Sequence, residues 1–179
     1  PRRVLIFEMI REKMAEGMTF ANALAATREE CLFTTHTPVE AGHDRFSNDL
    51  MHFTMHRLFR YIRTLAAELM GLGRIRPGDE HEPFCMTVLA LKASRAANAV
   101  SALHGEVSCA MWHPFYLDRL VDEVPIGHIT NGVHLPGWMK GTVRTFWKRK
   151  LGCDWEKGLN TPEFWTRVLD PEFISDEEI

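Results

Sequence analysis

Two short apolar runs and a third, more polar strand or strand end, separated from one another by helical periodicity, constrain what this chain can fold into. They are CLFTT (31–35), which leads into His36; NAVSALH (98–104), which ends on His104; and HITNGV (128–133), which holds Asn131 and Gly132. Runs of this length between turn signals suit buried strands, whereas helices declare themselves over longer periodic windows. Residues 3–16 place Arg3, Phe7, Ile10 and Met14 on one helical face, with Gly17 set to end the helix. Thr19 is positioned to cap a second helix over about 20–30, whose inward face is Phe20, Ala23, Leu24 and Thr27. Asn22 stands where a capping box needs Glu or Gln, so the box is incomplete. Met51, Met55, Leu58, Ile62, Leu65 and Leu69 trace a third face, and residues 84–96 a fourth with Val88, Leu91 and Arg95. GEVSCAMW (105–112) reads as the helix after the second strand, while TPVEAGHD (37–44) and GLGRIRPGDEHEP (71–83) read as loops. Helices alternating with short strands predict an α/β layer of βα units. The carboxyl ends of strands in such a layer face the ligand crevice.

Composition narrows the class. Hydrophobic residues at 45% and charged residues at 25% are a globular balance. A formal net charge of −3 speaks against a strongly basic nucleic-acid binder. No apolar run reaches the roughly 18 residues of a membrane span. The opening PRRVLIFEMIREKM carries Glu8 within its apolar part and no small-residue cleavage site, unlike a signal peptide. Pro1 is not an initiator methionine, so the chain is expected to be processed or part of a longer one. Cys31, Cys85, Cys109 and Cys153 are widely spaced, which fits free thiols in a reducing cytoplasm rather than a zinc knuckle or disulfide scaffold.

The polar strand ends are the candidate chemistry. His36 stands where a strand gives way to a loop and can hydrogen-bond a substrate hydroxyl, or satisfy the loop's own backbone. His43 and Asp44 follow in the same loop. With His36 they could form a metal site, but local loop hydrogen bonds and an Asp44–Arg45 charge cluster explain them as well. His52 and His56 have the i, i+4 spacing of a zinc-peptidase helix, yet Phe53 occupies the place of the required Glu, so a solvated helix flank is the better reading. Asn131 and Gly132 form a turn signal, and a turn Asn offers both a donor and an acceptor to a sugar. His104 is ambiguous in the same way as His36, with a helix-capping role favoured.

After Gly137 the texture changes. Between Glu123 and Asp154 there are five basic residues (Lys140, Arg144, Lys148, Arg149, Lys150) and no acidic one, while the tail from Asp170 carries five acids and no base. WMKGTVRTFWKRK (138–150) could bind an anion, or present a solvated basic face paired with that tail, and the near-neutral overall charge favours the second. Trp138, Trp147, Trp155 and Trp165 are expected in the core. The Asn-Gly and Pro-Gly breaks suggest a domain junction near 131–137. No glycine-rich phosphate loop, nucleophile elbow or kinase signature set is present.

Three ordered stretches resemble the α-glucan phosphorylases, the glycogen, starch and maltodextrin phosphorylase family, in its shorter bacterial and archaeal form. FTTHTPVEAGHDRF (33–46) is similar to the family's threonine-rich strand end and Pro-Ala-Gly-His-Asp loop. MTVLALKASRAANAVSALHGEVSCAMW (86–112) is similar to its helix–strand–helix, and PIGHITNGVHLPGWM (125–139) to the stretch where the first domain crosses to the second. The resemblance implies a partial Rossmann-like layer, helix-rich, of a glycosyltransferase-B-type two-domain enzyme. Residues 1–131 would end the first domain, and 132–179 would be the crossover and start of the second. It implies transfer of the terminal α-1,4-linked glucosyl unit of a glucan to phosphate, giving glucose 1-phosphate, in the cytoplasm. The partners implied are α-1,4-glucan and phosphate or glucose 1-phosphate, with no nucleic acid and no membrane, and with room for a homo-oligomer.

By the same resemblance His36 and Asn131 contact the transferred glucose, with Thr35, His43, Asp44, His104 and Gly132 in support. A paired-carboxylate dyad is not expected. Family enzymes carry pyridoxal phosphate on a lysine and use its phosphate as a proton relay rather than its ring as an electron sink. No lysine here sits in a matching attachment motif, and the family's basic phosphate-binding loop and early glycine-rich and acidic loops have no counterpart. The 179-residue chain by itself is therefore expected neither to hold the cofactor covalently nor to turn over. A non-catalytic glucan-binding or assembly module, and a metal-dependent hydrolase built on His36, His43 and Asp44, are the other readings.

Overall fold

The computed structural model describes residues 5–62 and 66–175. The chain divides into two compact units, Pro1–Asn131 and Gly132–Ile179. Arg3, Leu65 and the acidic residues 176–178 lie outside the described residues.

The first unit opens with helices α1 (Leu5–Ala15) and α2 (Phe20–Glu30) packed on each other. Gly17, at φ +104°, ends α1 in a left-handed residue that other side chains rarely adopt. The amide of Gly17 donates to Met14 O and that of Met18 to Lys13 O, which closes the helix in a Schellman motif. Thr19 caps α2 as expected, its Oγ1 accepting from the Asn22 amide at 3.3 Å. The inward face of α2 is confirmed at Ala23 and Thr27, both fully buried. Cys31 then turns extended and delivers the chain into strand β1 (Leu32–Thr34).

After the loop, β2 (Arg45–Phe46) leads to Ser47, which caps α3 (Asn48–Tyr61) by accepting from the Leu50 amide. The short helix α4 (Ala66–Gly71) follows. The stretch 71–83 is irregular but tightly tied. Buried Arg74 donates to Glu82 O at 3.0 Å and to Asn48 Oδ1 at 2.9 Å. The Glu82 carboxylate in turn accepts from the Ile75 and Arg76 amides. Residues 84–96 are not one helix. Phe84–Cys85 form β3, antiparallel to β2, and only Met86–Lys92 are helical (α5) before the next strand begins at Ala96. Phe84 and Cys85 are wholly buried, so apolar character alone did not separate strand from helix there.

Strand β4 (Ala96–Ala99), helix α6 (Ala102–Trp112) and strand β5 (Ile126–His128) complete the unit. NAVSALH is therefore half strand and half helix. Ser101 is the N-cap of α6, its Oγ accepting from the His104 amide at 3.2 Å, and local side-chain capping outcompetes strand continuation. His104 is thus a first-turn residue rather than a cap. The three strands form a parallel sheet in the order β1-β4-β5, with Thr34 opposite Asn98 and Asn98 opposite Gly127. The architecture is helix-rich α/β with a small parallel sheet. One core cluster (Phe7, Ile10, Ala23, Met51, Met55, Ile62, Leu69, Met70, Phe84, Leu89) lies among α1–α5. A second (Cys85, Val88, Leu91, Trp112, Val124, Ile126) underlies the sheet.

The second unit holds α7 (Leu135–Trp138), α8 (Gly141–Leu151), a 3-10 stretch at Trp155–Asn160 and α9 (Pro162–Val168). Trp155 is buried near Trp147, as expected of core aromatics, but Trp138 is 86% exposed. It ends a single helical turn that begins Leu-Pro-Gly and has no second turn to fold its ring against. On α8, Arg144 pairs with Glu156 at 3.6 Å and donates to Pro136 O.

Candidate functional site

Parallel pairing brings all three carboxyl ends of the strands to one edge of the sheet. The backbone ladder continues past each strand. The Thr35 amide donates to Asn98 O at 2.9 Å, the Ile129 amide to Ala99 O at 2.9 Å, and the Asn131 amide to Val100 O at 3.0 Å. These bonds fix where the strand-end residues emerge. His36 follows buried Thr35 and is solvent-exposed. Asn131 is exposed on the other side of the central strand. Gly132 belongs to the second unit.

Between them stands Asn98, a residue the sequence reading passed over. Its Oδ1 accepts from Thr34 Oγ1 at 3.0 Å, and its Nδ2 donates to Ala99 O at 3.1 Å. A polar side chain one residue before the end of the central strand, in a run otherwise of alanines, was the available signal. Gly105, on the first turns of α6, faces His128 of β5, and a Cβ there would sit 3.4 Å from His128 Cβ, an ordinary van der Waals contact.

The supporting histidines point inward. His43 is 6% exposed and His104 7%. His43 Nδ1 shares a 2.8 Å hydrogen bond with Thr87 Oγ1, and its ring meets Trp112 edge-on at 4.9 Å. The Nε2 atoms of both histidines are buried without a hydrogen-bond partner. Burial pushes His43 below the ordinary histidine range, and the neighbouring Arg45 adds to the shift. Asp44 is exposed and its carbonyl accepts from the Met86 amide at 3.0 Å.

The metal reading on His36, His43 and Asp44 fails on this geometry, since the His43 ring is turned into the core. Among the described residues no group of three or more His, Cys, Asp or Glu is placed to hold a metal ion. His52 and His56 are an exposed helix flank, with His52 on the Phe59 ring and His56 Nδ1 at Phe53 O. No helix among the described residues is long and apolar enough to cross a membrane. Lys92 is the lysine that burial pushes down, but its Nζ donates to Gly71 O and Arg74 O, at 2.8 and 2.6 Å. An ammonium held by two carbonyls under the Phe115 ring does not fit a covalent attachment point for an aldehyde cofactor.

The unit is helix-rich α/β, and the carboxyl edge of its sheet presents the hydrogen-bonding side chains of His36 and Asn131, with Asn98 between their strands. No family model matches the sequence. Among curated proteins the chain is 36% identical over 174 residues to the maltodextrin phosphorylase of Thermococcus litoralis, covering 97% of this chain and 20% of that protein. It is 35% identical to the glycogen phosphorylase of Mycobacterium tuberculosis (93% of this chain, 20% of the relative) and 29% identical to that of Aquifex aeolicus (97% and 24%). Along nearly its whole length, the chain is homologous to one segment of the glycogen and maltodextrin phosphorylases. It spans about a fifth of the length of these relatives.

Proposed function

We propose that this chain supplies the glucosyl-facing edge of an α-glucan phosphorylase. That enzyme is a glycosyltransferase that moves the terminal α-1,4-linked glucosyl unit of a glucan to phosphate, releasing glucose 1-phosphate. The observation that carries the reading is the placement of His36, Asn98 and Asn131 at the carboxyl ends of three neighbouring strands of one parallel sheet, within a sequence homologous to phosphorylases. Sugar hydroxyls both donate and accept, and imidazole and amide side chains offer hydrogen-bond partners that match them. A site built to hydrogen-bond a hydroxyl also rejects analogues that lack it, because its own groups are then left unpaired.

In this reading His36 and Asn131 contact the glucosyl unit and Asn98 braces the rim through Thr34. Thr35, His43, Asp44, His104 and Gly132 hold the surrounding backbone. The sheet is one part of a Rossmann-like layer in a glycosyltransferase-B architecture. The units 1–131 and 132–179 are the end of its first domain and the start of its second. Pyridoxal phosphate is the cofactor the family would supply, as a phosphate-borne proton relay, and no lysine of these 179 residues sits in a matching attachment motif. The partners are α-1,4-glucan and phosphate, and the compartment is the cytoplasm.

The test is glucose 1-phosphate release from maltodextrin and phosphate by a phosphorylase-length protein bearing this sequence. His36→Ala and Asn131→Ala should each lower turnover, by about 1–3 kcal/mol where a buried partner is orphaned. Wild-type kinetics in both would remove the assigned roles. Turnover by the isolated 179-residue chain would contradict its expected inactivity.

A further inference from the structure

The loop between β1 and β2 carries His36 at its start and His43 near its end, and a continuous set of contacts links them. His36 adjoins Thr37. Gly42 approaches Thr37 so closely that a Cβ would lie 2.4 Å from Thr37 Oγ1. The amides of Gly42 and His43 close a 3-10 turn on Val39 O and Glu40 O, both at 3.1 Å. His43 then drives its ring into the protein, where Thr87 of α5 takes Nδ1 at 2.8 Å and Trp112 of α6 takes the ring edge. On the far side, the Asp44 carbonyl accepts from the Met86 amide. The loop's other side-chain tie among the described residues, Arg45 Nη2 to Glu40 Oε1 at 3.3 Å, lies at the surface. A polar ring more than nine-tenths buried, with one nitrogen unpartnered, is costly to keep unless it fixes something.

We propose that His43 is a positioning residue, a latch that holds the loop bearing His36 against α5 and α6 through Thr87 and Trp112. The proposal rests on the reading that His36 faces the glucosyl unit. The latch works with a neutral ring. Arg45 at the start of β2 and His104 on α6 both oppose its protonation, Glu40 of the loop favours it, and α5 presents the uncharged Thr87. Acid therefore opens the latch only below the ordinary histidine range.

Thr87→Val removes the hydroxyl at nearly constant volume, and Thr87→Ser retains it. In the 179-residue chain, amide exchange at Gly42 and His43 should rise about tenfold or more in Thr87→Val and return in Thr87→Ser. The His36 ring resonances should shift in the first variant and not in the second. In the wild type the same loop signals should change with acid in step with the His43 ring. Maltoheptaose affinity should fall about three- to tenfold in Thr87→Val, with rescue by Thr87→Ser. If the wild type does not bind maltoheptaose while the exchange and ring signals respond, the latch stands and the substrate reading of His36 falls. If Thr87→Val folds and leaves loop exchange and His36 signals unchanged, the latch is refuted.

Discussion

Replacing Gly73 by alanine asks how tightly the first unit is packed. A Cβ at Gly73 would lie 2.4, 2.5 and 2.5 Å from three carbons of the Phe84 ring. Carbon–carbon contacts are favourable only near 3.5–4.0 Å, so the ring or the backbone must yield by about 1 Å. Neither yields easily. Phe84 has no exposed surface and packs on Phe7 with ring centroids 6.1 Å apart, while Gly73 O accepts from the Cys85 amide at 2.7 Å. Gly73 is not among the positive-φ glycines, so the backbone itself tolerates alanine. The entropy removed from the unfolded chain then returns about 0.4–1 kcal/mol. Overpacking costs about 1–3 kcal/mol, so the net loss lies between about 0 and 2.6 kcal/mol, and three contacts about 1 Å too short with a wholly buried ring place it in the upper half of that range. Urea unfolding followed by circular dichroism should show the midpoint falling with the slope unchanged. Phe84→Leu creates room, so Gly73→Ala with Phe84→Leu should cost less than the two single losses combined, with coupling of about 0.5–1.5 kcal/mol. A Gly73→Ala protein as stable as wild type, or strict additivity in the double variant, would refute the packing argument.

Three further outcomes follow from the same structure. Arg74→Met leaves Asn48 Oδ1 and Glu82 O without their buried donor, and should cost about 1–3 kcal/mol with faster exchange at the Ile75 and Arg76 amides. His43 has its folded value below the free histidine value of about 6.5, so the unfolded chain takes up the extra proton first as pH falls. Its contribution is therefore complete above about pH 6.5 and declines below it towards the folded value. The urea midpoint should drop as the pH falls through about 6.5 towards the lower folded value, and His43→Phe should remove that part of the slope. Cys153 is exposed and Cys85 fully buried, so a thiol reagent should modify Cys153 about a hundredfold faster or more, and Cys85 only through opening of the core.

Much of the first unit was legible because its signals are local. Gly17 and Thr19 act within one turn of their own positions, so the end of α1 and the start of α2 read directly from the residues. Met51, Met55, Ile62 and Leu69 face the core as their spacing says. Residues 84–104 misled because the elements there are short and follow one another within a few residues. Phe84–Cys85 pair with Arg45–Phe46, a contact some forty residues away that no window contains. Ser101 settles the boundary of β4 by a single hydroxyl. At the candidate site, His36 and Asn131 were visible as polar strand ends. Asn98 was hidden because its importance comes from the sheet order β1-β4-β5, which places its strand in the centre. The inward turn of His43 likewise depends on Thr87 and Trp112, and not on its loop.

The measurement that bears most directly on the central claim is a residue-resolved NMR titration of the 179-residue chain with maltoheptaose at millimolar concentrations. Perturbations should centre on His36, Asn98 and Asn131 and be abolished by His36→Ala without loss of fold. Binding confined to other surfaces, such as exposed Trp138, or perturbations that survive His36→Ala unchanged, would contradict the claim.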